Sequence, residues 1–414
     1  MGCSYTGFRQ RHGRSRQCER NRGAPNLKTP LASSIRRSCQ ALCGLACASA
    51  LLPAHAQPEQ LTTEVLAPGN PYRLYLQDAA LSHLADSRLV IVDGEKMRVL
   101  SVFGTGGMGM TTLSPDRSEI YVATQYYAKL NRGDRLDQVE VIDALTLQRK
   151  AEIPIPPKHA QSLPYRDLLR TTSDGRYVLV QNATPATSVS VVDVRARKFL
   201  AEIPTPGCWA IAPSASTASR FSTLCGDGTL MTITFDGEGK VVSQRKSPKF
   251  FDPDQDPVFI SSASTGDDYL FVSYHGTVHH ANLGGEAATI GQPWPLVTQP
   301  AERKAGWRPG GYHPLALHAD SKRLYVAMHS HGVDGTQKSP AKEIWVYDLA
   351  SQKRVKKLPG NNALALAVSR GERPRLFVLD AIKAGVVSLD PDGNGKALAR
   401  MDGLVEVPMA LGVQ

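Results

Sequence analysis

From about residue 70 onward, short runs of β-branched and aromatic residues alternate with clusters of Asp, Gly, Pro and Ser. Sustained helical periodicity is hard to find, so the pattern predicts an all-β architecture. One unit repeats. In its clearest copy Ser114-Pro115-Asp116 turns into Ile120-Tyr121-Val122-Ala123, a loop leads to Val139-Glu140-Val141-Ile142-Asp143, and Lys150-Ala151-Glu152-Ile153 precedes a proline-rich crossing. The next copy passes from Ser173-Asp174-Gly175 through runs at 177–180 and 189–193 to one at 199–203. The aspartates closing the third strand, Asp93, Asp143 and Asp193, stand 50 residues apart.

Weaker copies end at Asp236, Asn282, Asp348 and Asp390, which makes seven units. Over residues 57–414 each averages about 51 residues, a length suited to four-stranded propeller blades and too long for leucine-rich or helical repeats. The expected fold is a seven-bladed β-propeller of four-stranded blades in a single domain, 57–414. A blade has two apolar faces and buries both only between neighbours. The first unit lacks a leading strand while the run at 404–411 is unclaimed, so the C-terminal run is expected to pair into the first blade and close the ring. Residues 57–66 are expected to form a loose arm.

The interval from Asn282 to Asp348 is the longest, with Trp294, Trp307, Arg308, Tyr312 and a polar loop at 329–342. A second excursion at 125–138 carries Tyr126, Tyr127, Arg132 and Arg135. Insertions between fixed strands are free to make binding surface, so both read as partner surface rather than catalytic machinery.

The net charge of +10 invites a nucleic-acid reading. Nine of the 48 Lys+Arg but only one of the 38 Asp+Glu fall before residue 57, leaving 39 bases against 37 acids in the body. The excess leaves with the leader. Residues 1–56 combine a basic region, an uncharged stretch at 39–52 and an Ala54-His55-Ala56 cut, the pattern of a cleaved signal peptide. That stretch is shorter than the roughly 20 residues a membrane span takes. Arg36-Arg37 leaves a twin-arginine route open. Five of the seven cysteines also lie in the leader. Cys208 and Cys225 remain, and an even pair in an oxidising compartment is expected to form one structural disulfide, with a redox or metal-binding pair as the alternative.

Catalytic signatures are missing: no Gly-x-Ser-x-Gly elbow, His-Glu-x-x-His or Walker loop occurs. Thr105-Gly106-Gly107-Met108-Gly109-Met110 lacks the Lys and following helix of a phosphate loop and reads as an interblade turn. His279 and His280 would face opposite sides of a strand and cannot chelate one ion together. His275, His313, His318, His329 and His331 lack ligand spacing, so no metal site is expected. The strand-end aspartates read as Asx turn formers. Trp209, Trp294, Trp307 and Trp345 read as buried aromatics.

These runs carry a resemblance. Gln181-Asn182-Ala183-Thr184-Pro185-Ala186-Thr187-Ser188-Val189, Gly207-Cys208-Trp209, Cys225-Gly226-Asp227-Gly228, Trp307-Arg308-Pro309-Gly310-Gly311-Tyr312 and Glu343-Ile344-Trp345-Val346-Tyr347-Asp348 resemble the heavy chain of quinoprotein amine dehydrogenases. The likeness is nearer to aromatic amine dehydrogenase than to methylamine dehydrogenase. It implies a periplasmic propeller scaffold, with no catalytic residue and no cofactor of its own, in a heterotetramer of two heavy and two light chains. It also implies that tryptophan tryptophylquinone and the catalytic aspartate reside on the light chain. A primary amine would become an aldehyde and ammonia, with electrons leaving through a blue copper protein. The Cys208–Cys225 pair matches the family's disulfide position. The family places an aromatic residue near the substrate channel before the second blade; here that segment holds Met108 and Met110, with Phe103 the only Phe near it, and flexible Met would reshape the channel. Readings from other classes are a free-standing lactonase-like hydrolase, with a divalent metal on axial carboxylates, and a sugar- or peptide-binding propeller.

Overall fold

The computed structural model describes residues 65–413. The leader assigned to 1–56 and most of the expected arm lie outside the described residues. Within them the chain is all-β, as expected, with a single five-residue α-helix at Pro300–Lys304.

Strands follow one another as antiparallel groups in chain order. Arg73–Asp78, Ser87–Asp93 and the first part of Arg98–Leu113 form the first, joined by Pro408–Val413 from the C-terminus. The second part of Arg98–Leu113 opens the next group, with Glu119–Tyr127, Arg135–Asp143 and Arg149–Ile155. Separate four-stranded sheets run from Leu169–Thr171 to Lys198–Pro204 and from Cys208–Pro213 to Val241–Lys246. Ala263–Thr265 then pairs with Asp268–Val272 and that with Thr277–Asn282. Leu315–His318, Arg323–His329 and Ala341–Asp348 lead into Lys353–Val368, whose second half pairs onward with Leu376–Asp380, Gly385–Leu389 and Ala397–Met401.

The third-strand aspartates do what their side chains predict. Asp93 accepts hydrogen bonds from the amides of Glu95 and Lys96 (3.0 and 3.0 Å), and Asp143 from those of Leu145 and Thr146 (3.0 and 2.9 Å). Asp193 and Asp348 each take the amide three residues on, at 2.8 and 2.9 Å. Each carboxylate stabilises a turn that then requires a left-handed residue at Met97, Leu147, Arg197 or Gln352, a conformation costing roughly 1–2 kcal/mol for a residue with a Cβ.

Apolar clusters lie between successive groups. Tyr75, Leu89 and Ile91 pack on Ile120, Val122 and Ile142; Tyr121, Val139 and Val141 pack on Val178, Val180 and Val192. Tyr177, Leu179 and Val191 pack on Ile211, Phe221 and Phe235. The last such cluster joins Ala367, Phe377 and Leu379 to Leu74, Leu76 and Leu411. Each fully buried side chain of this size contributes roughly 1.5–3 kcal/mol.

Three expectations are revised. The segment 105–110 is no turn: it lies inside the single strand Arg98–Leu113, which changes partners through left-handed Gly106 and Met108 (φ 67° and 50°) and a bulge between Gly107 and Met110. Doubled chain is so tight there that a Cβ on Gly109 would stand 2.2 Å from the Thr105 carbonyl oxygen. The excursion at 125–138 shrinks to 128–134, because pairing continues to Tyr127 opposite Arg135. The C-terminal strand is Pro408–Val413, shifted from the 404–411 run. Asp78, fully buried, binds the amides of Glu406 and Val407 (2.9 and 3.0 Å) and Arg88 (2.9 Å), and so fixes the chain before that strand begins.

Cys208 and Cys225 are bonded to each other, the expected disulfide, which leaves neither thiolate free to hold a metal. They stand directly opposite each other on neighbouring strands, 17 residues apart in sequence. Reduction, or a Cys208→Ala/Cys225→Ala variant, should cost roughly 3 kcal/mol, read as a lower urea midpoint; an unchanged midpoint after verified reduction would contradict this. Asp78→Ala strands three backbone amides, those of Ala80, Glu406 and Val407, together with Arg88, and should cost about 3 kcal/mol or more in the same titration.

Candidate functional site

The residues singled out from the sequence fall on two parts of the chain, and the crossing at 161–166 joins them. Tyr126 and Tyr127 end a strand and project from opposite faces. The Tyr126 hydroxyl donates to Glu140 Oε1 (2.7 Å), which also takes Gln138 Nε2 (2.9 Å), while Arg149 reaches the other carboxylate oxygen (3.0 Å). Burial and this carboxylate push the Tyr126 hydroxyl pKa up, so it stays protonated. The Tyr127 hydroxyl accepts from Gln161 Nε2 (2.8 Å), which also donates to Gln125 Oε1 (2.9 Å).

Arg135 is committed to structure. Its guanidinium grips the buried Asp137 through two 2.6 Å bonds and donates to the His159 carbonyl (2.9 Å), while Asp137 accepts the His159 amide (2.9 Å). Burial raises the Asp137 carboxyl against the pull of Arg135. Arg132, in contrast, is exposed in the 128–134 connection.

On the other side, Trp307 packs against the fully buried Trp345, ring centroids 5.3 Å apart. Arg354 lies 4.1 Å over the Trp345 ring, and Lys357 lies over both rings. Glu302 fixes the two cations, with Arg354 at 2.9 and 2.8 Å and Lys357 at 3.0 Å. Arg308 donates to Asp334 (3.0 Å) on a cavity of about 240 Å³ that Tyr274, His275, His329 and Gln337 also line. Tyr312 meets Tyr165 edge-on (6.1 Å), with Lys338 5.4 Å from its ring centroid.

The crossing therefore touches Tyr127 through Gln161 and Tyr312 through Tyr165, bringing Tyr127 and Tyr312 into one surface. Its next residue, Arg166, donates Nε to His313 Nδ1 (3.3 Å). Sequence reasoning missed Gln161, Tyr165 and Arg166; the proline-rich crossing was the only local signal, since the Arg166–His313 contact spans 147 residues. Met110 does not belong here: it is 1% exposed inside the core with Tyr121 and Ala123, and Met108 beside it is only partly covered. The arrangement offers rigid aromatic edges, amides and held cations, suited to seating a polypeptide. Among the described residues no three His, Cys, Asp or Glu side chains gather closely enough to hold a metal ion.

The family description for the methylamine dehydrogenase heavy chain matches residues 70–412, nearly all of the described chain. The chain belongs to the methylamine dehydrogenase heavy chain family. It is similar to the methylamine dehydrogenase heavy chain of Methylophilus methylotrophus, 26% identical over 382 residues, covering 89% of this chain and 92% of that protein. The heavy chain of Paracoccus versutus is 30% identical over 331 residues, covering 78% and 75%. Among solved structures, a putative 6-phosphogluconolactonase from Bacteroides fragilis aligns with a TM-score of 0.56 at 12% identity, covering 86% of this chain and 99% of that one. A protein of unknown function from Desulfotomaculum acetoxidans gives 0.56 at 13%, covering 82% and 98%. These structural likenesses concern fold alone. No helix among the described residues of this family member is long and apolar enough to cross a membrane.

Two histidines beside the surface are held neutral. Burial, then Arg135, brings His159 down to about 3, and burial, then Arg166, holds His313 well below the usual range. The unfolded chain takes up these protons below about pH 6.5 while the folded chain refuses them, so stability is full above that pH and falls as pH drops toward 3. His159→Phe should flatten this fall by up to about 1.4 kcal/mol per pH unit, measured as urea stability from pH 7 to 4; a profile parallel to wild type would refute it.

Proposed function

We propose that this chain is the large, non-catalytic subunit of a periplasmic quinoprotein amine dehydrogenase. The family match across residues 70–412 carries that reading. In it, a light chain bears tryptophan tryptophylquinone, two copies of each chain assemble, a primary aromatic or aralkyl amine becomes an aldehyde and ammonia, and a blue copper protein takes the electrons. Residues 1–56 serve as the export signal.

The propeller reading is that the strand groups stack as seven blades in a closed ring. Two observations support it: apolar packing of Phe377 and Leu379 on Leu74 and Leu76, and pairing of Pro408–Val413 with Arg73–Asp78. In this reading Tyr127, Arg132, Arg308 and Tyr312 face the light chain.

The chain's own tryptophans do not fit the quinone. Trp307 and Trp345 are the pair in contact, but Trp345 is 0% exposed, gives its Nε1 to Glu343 (2.6 Å) and lies beneath Arg354 and Lys357, out of reach of a substrate. The lactonase alternative meets a different obstacle: the large cavity is lined by Arg117, Arg166 and Arg170 and by no carboxylate, the wrong sign for a divalent cation.

Co-expression with a cysteine-rich light chain should yield a complex with quinone absorbance and amine-dependent dye reduction; a purified complex lacking both refutes the proposal. Tyr312→Ala should weaken light-chain binding about tenfold, roughly 1.4 kcal/mol, without changing the melting temperature of the isolated heavy chain.

A further inference from the structure

Strands from several sheets converge on a cavity of about 540 Å³, whose walls include Tyr75, Leu113, Ser264, Leu315, Val368 and Val413. Its charge has one sign. Arg117, Arg166, Arg170 and Arg370 line it, and no acidic side chain does. Asp167, behind the wall, is spent on Arg170 (2.8 Å) and on the Ser262 amide (2.9 Å). One carboxylate thus answers four guanidiniums. Arg166 has only a neutral partner, His313.

The other two arginines are less compensated. Arg117 buries its Nε with no hydrogen-bond partner. Burial, then the neighbouring charge of Arg370, disfavours its charged form, yet a guanidinium stays charged at any physiological pH. Arg370 is exposed in the same wall. Tyr75, 6% exposed, also faces this space; its hydroxyl meets no partner at hydrogen-bonding geometry, although the Arg73 guanidinium is near.

The backbone adds an independent sign. Arg117 is left-handed (φ 65°) in a turn closed by its amide on the Ser114 carbonyl (3.0 Å). The matching turn in the next repeat places Gly175 there (φ 67°), with its amide on the Thr172 carbonyl (2.9 Å). Arg is strained where Gly is free, and such strain gathers at binding sites.

We infer that this cavity is a binding site for a small polyvalent oxyanion, held by Arg117, Arg170 and Arg370 with the Tyr75 hydroxyl. Guanidinium forks match the oxygens of phosphate and carboxylate groups two at a time. More than one negative charge is required because a single internal carboxylate leaves most of the cationic wall uncompensated. Low-dielectric walls of one sign concentrate such an anion. Arg117, Arg170 and Arg370 take no part in the proposed light-chain surface, whose crossing reaches this wall only at Arg166, and anion binding is read on the heavy chain alone, so the proposal stands or falls independently of the amine dehydrogenase reading.

The test is calorimetric titration of the full mature chain with inorganic phosphate and, in a parallel arm, with citrate, at ionic strength held constant with sodium chloride. Saturable binding with Kd of about 1 mM or tighter is expected in at least one arm, and the stronger arm tells phosphate from carboxylate recognition. An Arg117→Gly/Arg370→Gln variant should bind at least about tenfold more weakly. Gly suits the left-handed turn, so this variant should melt at the same temperature as wild type or higher when no anion is added, like-charge repulsion having been relieved. Absence of binding in both arms, unchanged affinity in the variant, or a lower anion-free melting temperature would each overturn the proposal.

Discussion

Every sheet in this protein has two apolar faces, and neither can be left to water. That constraint organises the molecule. Tyr177 and Leu179 have no use for a polar neighbour, so the next sheet presents Ile211 and Phe221, and the requirement passes from sheet to sheet until Phe377 finds Leu74. Packing at this density leaves little freedom for strands to move. A Cβ on Gly94 would strike the Phe377 ring at 2.9 Å, which shows how closely the last sheet approaches the first.

Because the sheet faces are largely consumed by packing, polar side chains gather at the ends of strands, on the surface and in the interior cavity. At strand ends the aspartates stabilise their own turns. On the surface, Gln161 and Tyr165 gather aromatic side chains from distant repeats. In the interior cavity, four arginines share a wall with the carboxylate of Asp167 set behind it. These three settings divide the polar chemistry of the described residues among turn formation, a surface of aromatic edges and held cations, and a cationic cavity.

Legibility followed the range of the interactions involved. Asp93, Asp143 and Asp193 could be read because an Asx turn is closed by amides two or three residues away. The disulfide could be read from two cysteines left after a leader is set aside. The glycines of segment 105–110 look locally like a turn, whereas the backbone uses Gly106 and Gly109 to double closely inside one long strand. Met110, expected to shape the channel, lies instead in the core, because the strand turns its side chain inward onto Tyr121 and Ala123. At 125–138 the loop is shorter than its composition suggests, because Tyr126, Tyr127 and Arg135 look like loop residues but are held by cross-strand pairing.

The sequence by itself determined the strand runs, the repeat length, the strand-end turns and the unclaimed C-terminal run, since each depends on neighbours within a few residues or on simple periodicity. Only the tertiary structure decided that Tyr165 meets Tyr312, that Arg117 shares a cavity with Arg370, and that Asp78 anchors the chain 328 residues away at Glu406. Those contacts join different repeats, and which side chains face each other across the fold is set by the twist and stacking of sheets rather than by local order along the chain.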